Sequence, residues 1–274
     1  SGCGAGPFDH IESPMRHRRS TTQKRINTCS ATAEPTVVLV LLAVGLSACG
    51  TGDAQAIENA AIITQATQCG PTADFVPINA YDGSMDWVSD RENAVAFING
   101  ACTGTYFGGA GSAEHLILTA GHCVGLGDEV LIVFNFEDDP DGSDYVGTGT
   151  VVERADEPDY ALIELFEDPL VRPAPLSVRS TEELAIIQYA RGGPKVIATG
   201  VLAAESATEV RYADLDTLVG SSGAGVFNAG GRVIGVHSDG DCDENGGSNL
   251  AQPIAAIADV SPLLSLFDFY DDDR

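Results

Sequence analysis

From about position 91 onward the chain repeats one pattern, short apolar runs cut off by turns. Runs at 94–98, 115–120, 130–136, 145–152, 160–165, 195–202, 225–228 and 232–237 are rich in Val, Ile and Leu, and Gly-, Asp- and Pro-rich stretches separate them. Runs of about four to eight residues suit strands better than helices, and β-branched side chains fit a pleated surface. The pattern predicts an all-β sandwich or barrel. Only 253–267 has helical spacing, and Pro262 is expected to break it. With 44% apolar residues the chain has enough material for a core and does not read as disordered.

Charge narrows the partners. The 274 residues carry 14 Lys and Arg against 40 Asp and Glu, a net charge of −26. A surface that negative repels phosphate backbones and anionic lipid heads, so neither nucleic acid nor a bare membrane surface is an expected partner.

The positive charge is concentrated near the start. Arg16, Arg18, Arg19, Lys24 and Arg25 precede an uncharged apolar run at 36–48. That run is too short for a bilayer span, which takes about 20 residues. Basic, then apolar, then small residues make an export signal. Its end, Leu46-Ser47-Ala48-Cys49, resembles a bacterial lipobox, which implies lipidation of Cys49. The alternative is an ordinary signal cut near Ala48. Met15 is a candidate initiator, so residues 1–14 need not be translated. Removing 1–48 takes away five basic and three acidic residues and leaves a charge of −28.

Export agrees with the cysteines. Cys3 and Cys29 fall in the leader and Cys49 at its end, leaving Cys69, Cys102, Cys123 and Cys242. Four cysteines in an oxidising compartment allow three pairings. None has zinc spacing, so no structural metal is expected.

Three motifs carry chemistry. They are Leu118-Thr119-Ala120-Gly121-His122-Cys123, Asp159-Tyr160-Ala161-Leu162-Ile163 and Gly220-Ser221-Ser222-Gly223-Ala224-Gly225. Each alone has a bland structural explanation: a core histidine, a strand-leading aspartate, a flexible turn. Together, in the order His…Asp…Ser with glycines around the serine, they point to nucleophilic catalysis.

Over roughly 91–268 the sequence resembles the trypsin/chymotrypsin-fold serine peptidases, with the pattern of bacterial glutamyl endopeptidases. The stretch from Ser222 through Val226-Phe227-Asn228 to Val233-Ile234-Gly235-Val236-His237 carries the latter likeness. The resemblance implies an all-β fold of two six-stranded antiparallel Greek-key β-barrels, chymotrypsin-like, with a short C-terminal helix. It implies a peptide or protein substrate and a catalytic triad of His122 as base, Asp159 as its orienting partner and Ser222 as nucleophile. Asp156 is a near alternative to Asp159, which leads directly into an apolar run. The N–H groups of Gly220 and Ser222 would form the oxyanion hole. It also implies a Cys102–Cys123 bridge, leaving Cys69 to pair with Cys242. The usual disulfide beside the specificity pocket is absent, because Leu218 stands at one of its positions. The aspartate that precedes the nucleophile in animal digestive enzymes is Ser221 here.

The specificity cues conflict. Thr217 and His237 match the pair that holds an acidic side chain in glutamyl endopeptidases, and a partly charged histidine suits that task. Asp216 falls where trypsin carries the carboxylate that selects Arg or Lys. Acidic specificity is favoured on the assumption that Asp216 points away. Ser238, Asp239 and Gly240 are expected to offer a strand edge to the substrate.

The acidic loops 137–144 and 239–244 raise calcium as a ligand, though charged loops are usually just solvated; otherwise no cofactor is expected. The resulting division is an upstream region and export signal with its lipobox at 1–49, a linker or pro-segment at 50–90, the peptidase domain at 91–270 and an acidic tail at 271–274. A monomeric exported serine endopeptidase, secreted or lipid-anchored through Cys49, is expected. Cleavage after Arg or Lys, or an inactive surface binding module of the same fold, are the alternatives. A periplasmic quality-control protease is disfavoured, since no peptide-binding domain follows residue 270.

Overall fold

The strands form where sequence periodicity and burial agree. In β5 (Glu129–Phe134) exposed and buried residues alternate, as in a sheet with one solvated face. In β8 (Glu183–Gln188) every residue after the first is buried. The reason is that Leu184 and Ile186 face one apolar cluster while Ala185 and Ile187 face another.

A computed structural model describes residues 68–138 and 145–267. The export signal, Cys49, residues 50–67, positions 139–144 of the first acidic loop and the 271–274 tail lie outside the described residues. Thirteen strands are described, and twelve of them close into two barrels. The first comprises β2 (Val95–Ile98), β3 (Cys102–Ala110), β4 (Ala113–Thr119), β5, β6 (Tyr145–Asp156) and β7 (Asp159–Leu165), in the closed order β2-β3-β4-β7-β6-β5. The second comprises β8, β9 (Val196–Glu205), β10 (Val210–Ala213), β11 (Gly225–Asn228), β12 (Val233–Gly240) and β13 (Asn249–Pro253). Its order is β8-β9-β10-β13-β12-β11, with β11 pairing back onto β8 to close the ring. The two barrels therefore share one strand order. All pairings between these strands are antiparallel, and the fold is chymotrypsin-like. The short helix α1 (Val88–Arg91) precedes the first barrel, and α2 (Ile254–Val260) follows the second and ends just before Pro262. Among the described residues no helix is long and apolar enough to cross a membrane.

Within the expected linker or pro-segment, residues 68–90 pack against the barrels. β1 (Val76–Pro77) pairs with β9 in the register Val76↔Ile197. Ile78, Met85, Trp87 and Val88 are buried, and Trp87 stacks on Phe227 with ring centroids 5.1 Å apart. Apolar residues on that scale need cover, and the barrels supply it. The apolar pieces, 75–78 and 85–88, are short and set among polar residues, which is why composition conceals them.

An ionic cluster adds to this packing. Lys195, fully buried ahead of β9, donates from Nζ to Glu92 at 2.5 Å and Glu137 at 2.6 Å, and Asn79 donates to the other oxygen of Glu137 at 2.9 Å. Burial outweighs the lysine and raises the Glu92 carboxyl to about 7.

Candidate active site

His122 sits in the turn Gly121–Cys123 directly after β4. Gly121 is required there, since a Cβ would strike the carbonyl oxygen of Ala155 and approach Asp159 Oδ1 to 2.9 Å. Asp159 opens β7 and grips the histidine twice. Its Oδ1 accepts the backbone N–H of His122 at 2.9 Å, and its Oδ2 lies 2.6 Å from Nδ1. A carboxylate only accepts, so the proton is on Nδ1 and Nε2 is left as the basic nitrogen. The hydrogen bond that the imidazole donates to Asp159 raises its pKa above 6.5, and the Asp159 and Asp239 charges add to this against partial burial and Arg154. Asp156 instead binds Arg154 at 2.7 Å and is largely exposed. Arg154 Nε also donates to the carbonyl oxygens of Gly121 and Val124, which pins the histidine turn from behind.

Ser222 lies between Leu218 and β11 in a turn closed by its own groups. The N–H of Ser221 donates to Leu218 O, and the N–H of Leu218 donates to Ser221 Oγ, both at 2.9 Å. At the position of the animal enzymes' aspartate, Ser221 thus serves to close the turn. Gly220 has φ +99, and a Cβ there would come within 2.5 Å of Tyr189 O, so glycine is needed on both counts. Among the described residues the N–H groups of Gly220 and Ser222 make no hydrogen bond, as the expected oxyanion hole requires. Ser222 retains 8% of its surface, and its hydroxyl is not hydrogen-bonded to His122. Such contacts often tighten only when substrate binds.

The first barrel holds this turn in place through threonines that sequence reading missed. Thr103 donates its N–H to Ser222 O at 2.9 Å and its hydroxyl to Gly220 O at 2.8 Å. Thr119 Oγ1 donates to Thr103 O, and Thr105 Oγ1 accepts from Gly225 N–H. No motif in the sequence marks these residues; only the docking of β3 against the turn reveals them.

Both expected disulfides are present, Cys102–Cys123 and Cys69–Cys242. The first fastens β3 to the residue after His122. Among the described residues, the grouping of metal-binding side chains within reach of a shared ion is Cys102, His122 and Cys123. Both of its sulfurs are consumed by the disulfide, so this donor set does not suit a metal. The calcium reading loses Glu137, whose carboxylate is held by Lys195 and Asn79. In the second loop Asp239 and Asp243 cap nearby backbone N–H groups.

The carboxylate of Asp216 is engaged by backbone donors within the protein. It is 2% exposed, and its oxygens accept the N–H of Cys69 at 2.7 Å and of Asp74 at 2.5 Å, while its own carbonyl accepts from Gln188. Both oxygens are spent on holding the 69–74 segment. Thr217 is fully buried. His237 is 3% exposed; its N–H donates to Ala224 O and its carbonyl accepts from Gly223 N–H, which sets it one turn from Ser222. Burial lowers its pKa to about 4, so it is neutral near pH 7 rather than partly charged as the sequence suggested. Ser238 lies at a register shift and accepts from Gln252 at 3.1 Å. Asp239 and Gly240 pair with β13 on one side only, leaving a free edge opposite among the described residues.

Residues 102–236 match the family model of the trypsin-like peptidase domain, just under half of the chain. The chain has the trypsin-like fold that this model describes. No curated protein matches it significantly. Among solved structures, a serine endoprotease from Yersinia pestis is similar in fold, with TM-score 0.55 and 15% identity over 68% of each chain. Deg5 gives TM-score 0.49 and 18% identity over 62% of this chain and 88% of its own.

Proposed function

We propose that this protein is a serine endopeptidase that cleaves after acidic residues through an acyl-enzyme on Ser222. His122 Nε2 takes the Ser222 proton as the hydroxyl oxygen attacks the peptide carbonyl, and returns it to the leaving amine. Asp159 fixes the tautomer and stabilises the imidazolium. The Gly220 and Ser222 N–H groups stabilise the oxyanion, worth about 3 kcal/mol per donor. Water then attacks the acyl-enzyme with the same base. The two-point grip of Asp159 on His122 carries this reading, because it leaves Nε2 as a free base.

Acidic specificity rests on His237, neutral and set beside the nucleophile turn, with Thr217. The competing carboxylate is already satisfied, which disfavours cleavage after Arg or Lys. The strand edge at Ser238, Asp239 and Gly240 would pair with the substrate backbone. Export, lipidation of Cys49 and a monomeric state complete the proposal.

Incubating the full chain, alongside Ser222→Ala, with a diverse peptide mixture tests it. Cuts after Glu or Asp that vanish in the variant are the expected result. Neither cuts nor labelling by a serine-directed fluorophosphonate would favour the binding-module reading.

A further inference from the structure

His237 makes one short side-chain contact within the protein, and it is to a tyrosine that no motif marked. Tyr212, on β10, is completely buried, and its hydroxyl lies 2.6 Å from His237 Nδ1. The carbonyl oxygen of Leu250 is 3.2 Å from Nδ1 and 3.3 Å from the tyrosine oxygen. Nε2 has no hydrogen bond within the protein among the described residues. The two oxygen atoms around Nδ1 therefore decide which ring nitrogen carries the proton.

Resting on the acidic specificity proposed above, we propose that Tyr212 is a positioning residue for specificity. Its hydroxyl donates to His237 Nδ1 and so holds the ring in the tautomer that presents Nε2–H to the substrate's acidic side chain. Proton counting supports this arrangement. A neutral imidazole has one proton, and the tyrosine hydroxyl has one. If Nδ1 held the ring proton, the phenol would be left with Leu250 O at 3.3 Å, beyond the usual O–H···O range of about 2.5–3.0 Å. With the phenol donating, its single proton is spent on the shortest contact available. Burial keeps both groups neutral: it lowers the imidazole and raises the phenol well above 10. The charged groups that act on the ring are Asp239 on its own strand and His122 across the site, and they oppose each other. A neutral N–H donor then binds a carboxylate by a charge-assisted hydrogen bond.

Removing the hydroxyl leaves Nδ1 facing only Leu250 O, which can only accept. The proton then moves to Nδ1, and Nε2 presents a lone pair. A lone pair repels a carboxylate but accepts an N–H from the amide of glutamine. The test measures kcat/KM of the full chain and its Tyr212→Phe variant between pH 5.5 and 8. The substrates are two peptides that differ only in Glu or Gln before the scissile bond. The wild type is expected to prefer Glu. In Tyr212→Phe the Glu/Gln ratio should fall at least tenfold across this range, where the buried ring stays neutral, with the loss carried mainly by KM for Glu. An equal loss on both peptides, with the ratio unchanged, would mean a merely structural tyrosine and would overturn the proposal while leaving acidic specificity standing. A wild type that does not prefer Glu overturns both. Should Tyr212→Phe fail to fold, the ring ¹⁵N shifts of His237 in the full-length Ser222→Ala protein decide the matter. Protonated Nε2 with bare Nδ1 supports the assignment, and the reverse refutes it.

Discussion

Thr103, on a strand of the first barrel, donates its hydroxyl to the carbonyl oxygen of Gly220, in the nucleophile turn of the second, at 2.8 Å. The same hydroxyl accepts the N–H of Tyr189 at 3.1 Å. One buried oxygen thus satisfies a donor and an acceptor on two loops that meet behind the oxyanion hole.

Thr103→Val keeps the shape and strands both partners. Leaving buried polar groups unmet costs about 1–3 kcal/mol. Turnover should fall about tenfold or more with KM little changed, because the hole acts on the transition state. Steady-state kinetics on one peptide measures this; a rise in KM alone would argue that Thr103 serves binding instead.

Asp159→Asn should lower kcat by about 10⁴-fold, since the amide favours the wrong imidazole tautomer. The pH profile provides a second readout. His122 must be neutral to act as base, and Asp159 raises its pKa, so wild-type activity climbs as pH rises through that raised value. In the variant the climb should shift to lower pH.

Glu92→Gln should change the pH dependence of stability. The folded-state pKa of Glu92 is about 7 against an ordinary 4.5, so folding is favoured by the bound proton below 4.5 and loses this as pH rises through 7. His237 works oppositely: its stabilisation is present above 6.5 and is lost as pH falls toward its folded value of about 4. Between 4.5 and 6.5 the two slopes offset each other. The variant should be more stable than wild type at pH 8 and should lose stability on acidification below 6.5, as urea unfolding would register.

Asp216→Asn should destabilise the domain by about 1–3 kcal/mol, because an amide oxygen accepts from only one of the two N–H groups and its NH₂ faces the other. The residues before the cut sites should not change. A shift in cleavage specificity in peptide profiling would return Asp216 to the pocket wall.

Much of this architecture was legible in the sequence. Alternating runs such as 130–134 announce strands, and Pro262 stops the last helix where expected. The bridges Cys102–Cys123 and Cys69–Cys242 followed from family likeness and exclusion. What stayed hidden depends on long-range packing. Residues 75–78 and 85–88 look like loop because their cover comes from distant residues such as Phe227. Asp216 occupies a specificity position by alignment, yet two backbone N–H groups more than 140 residues away claim its carboxylate. The charge of His237 is set by burial, which no local pattern encodes.

His122 and Asp159 belong to the first barrel and Ser222 to the second. During synthesis the base and its partner emerge many residues ahead of the nucleophile. On the mechanism proposed above, a nascent chain with one barrel closed would be chemically silent, because half of its machinery has not yet been made. Hydrolytic power would require both halves in place, which makes closure of the second barrel the last step in building the reactive centre.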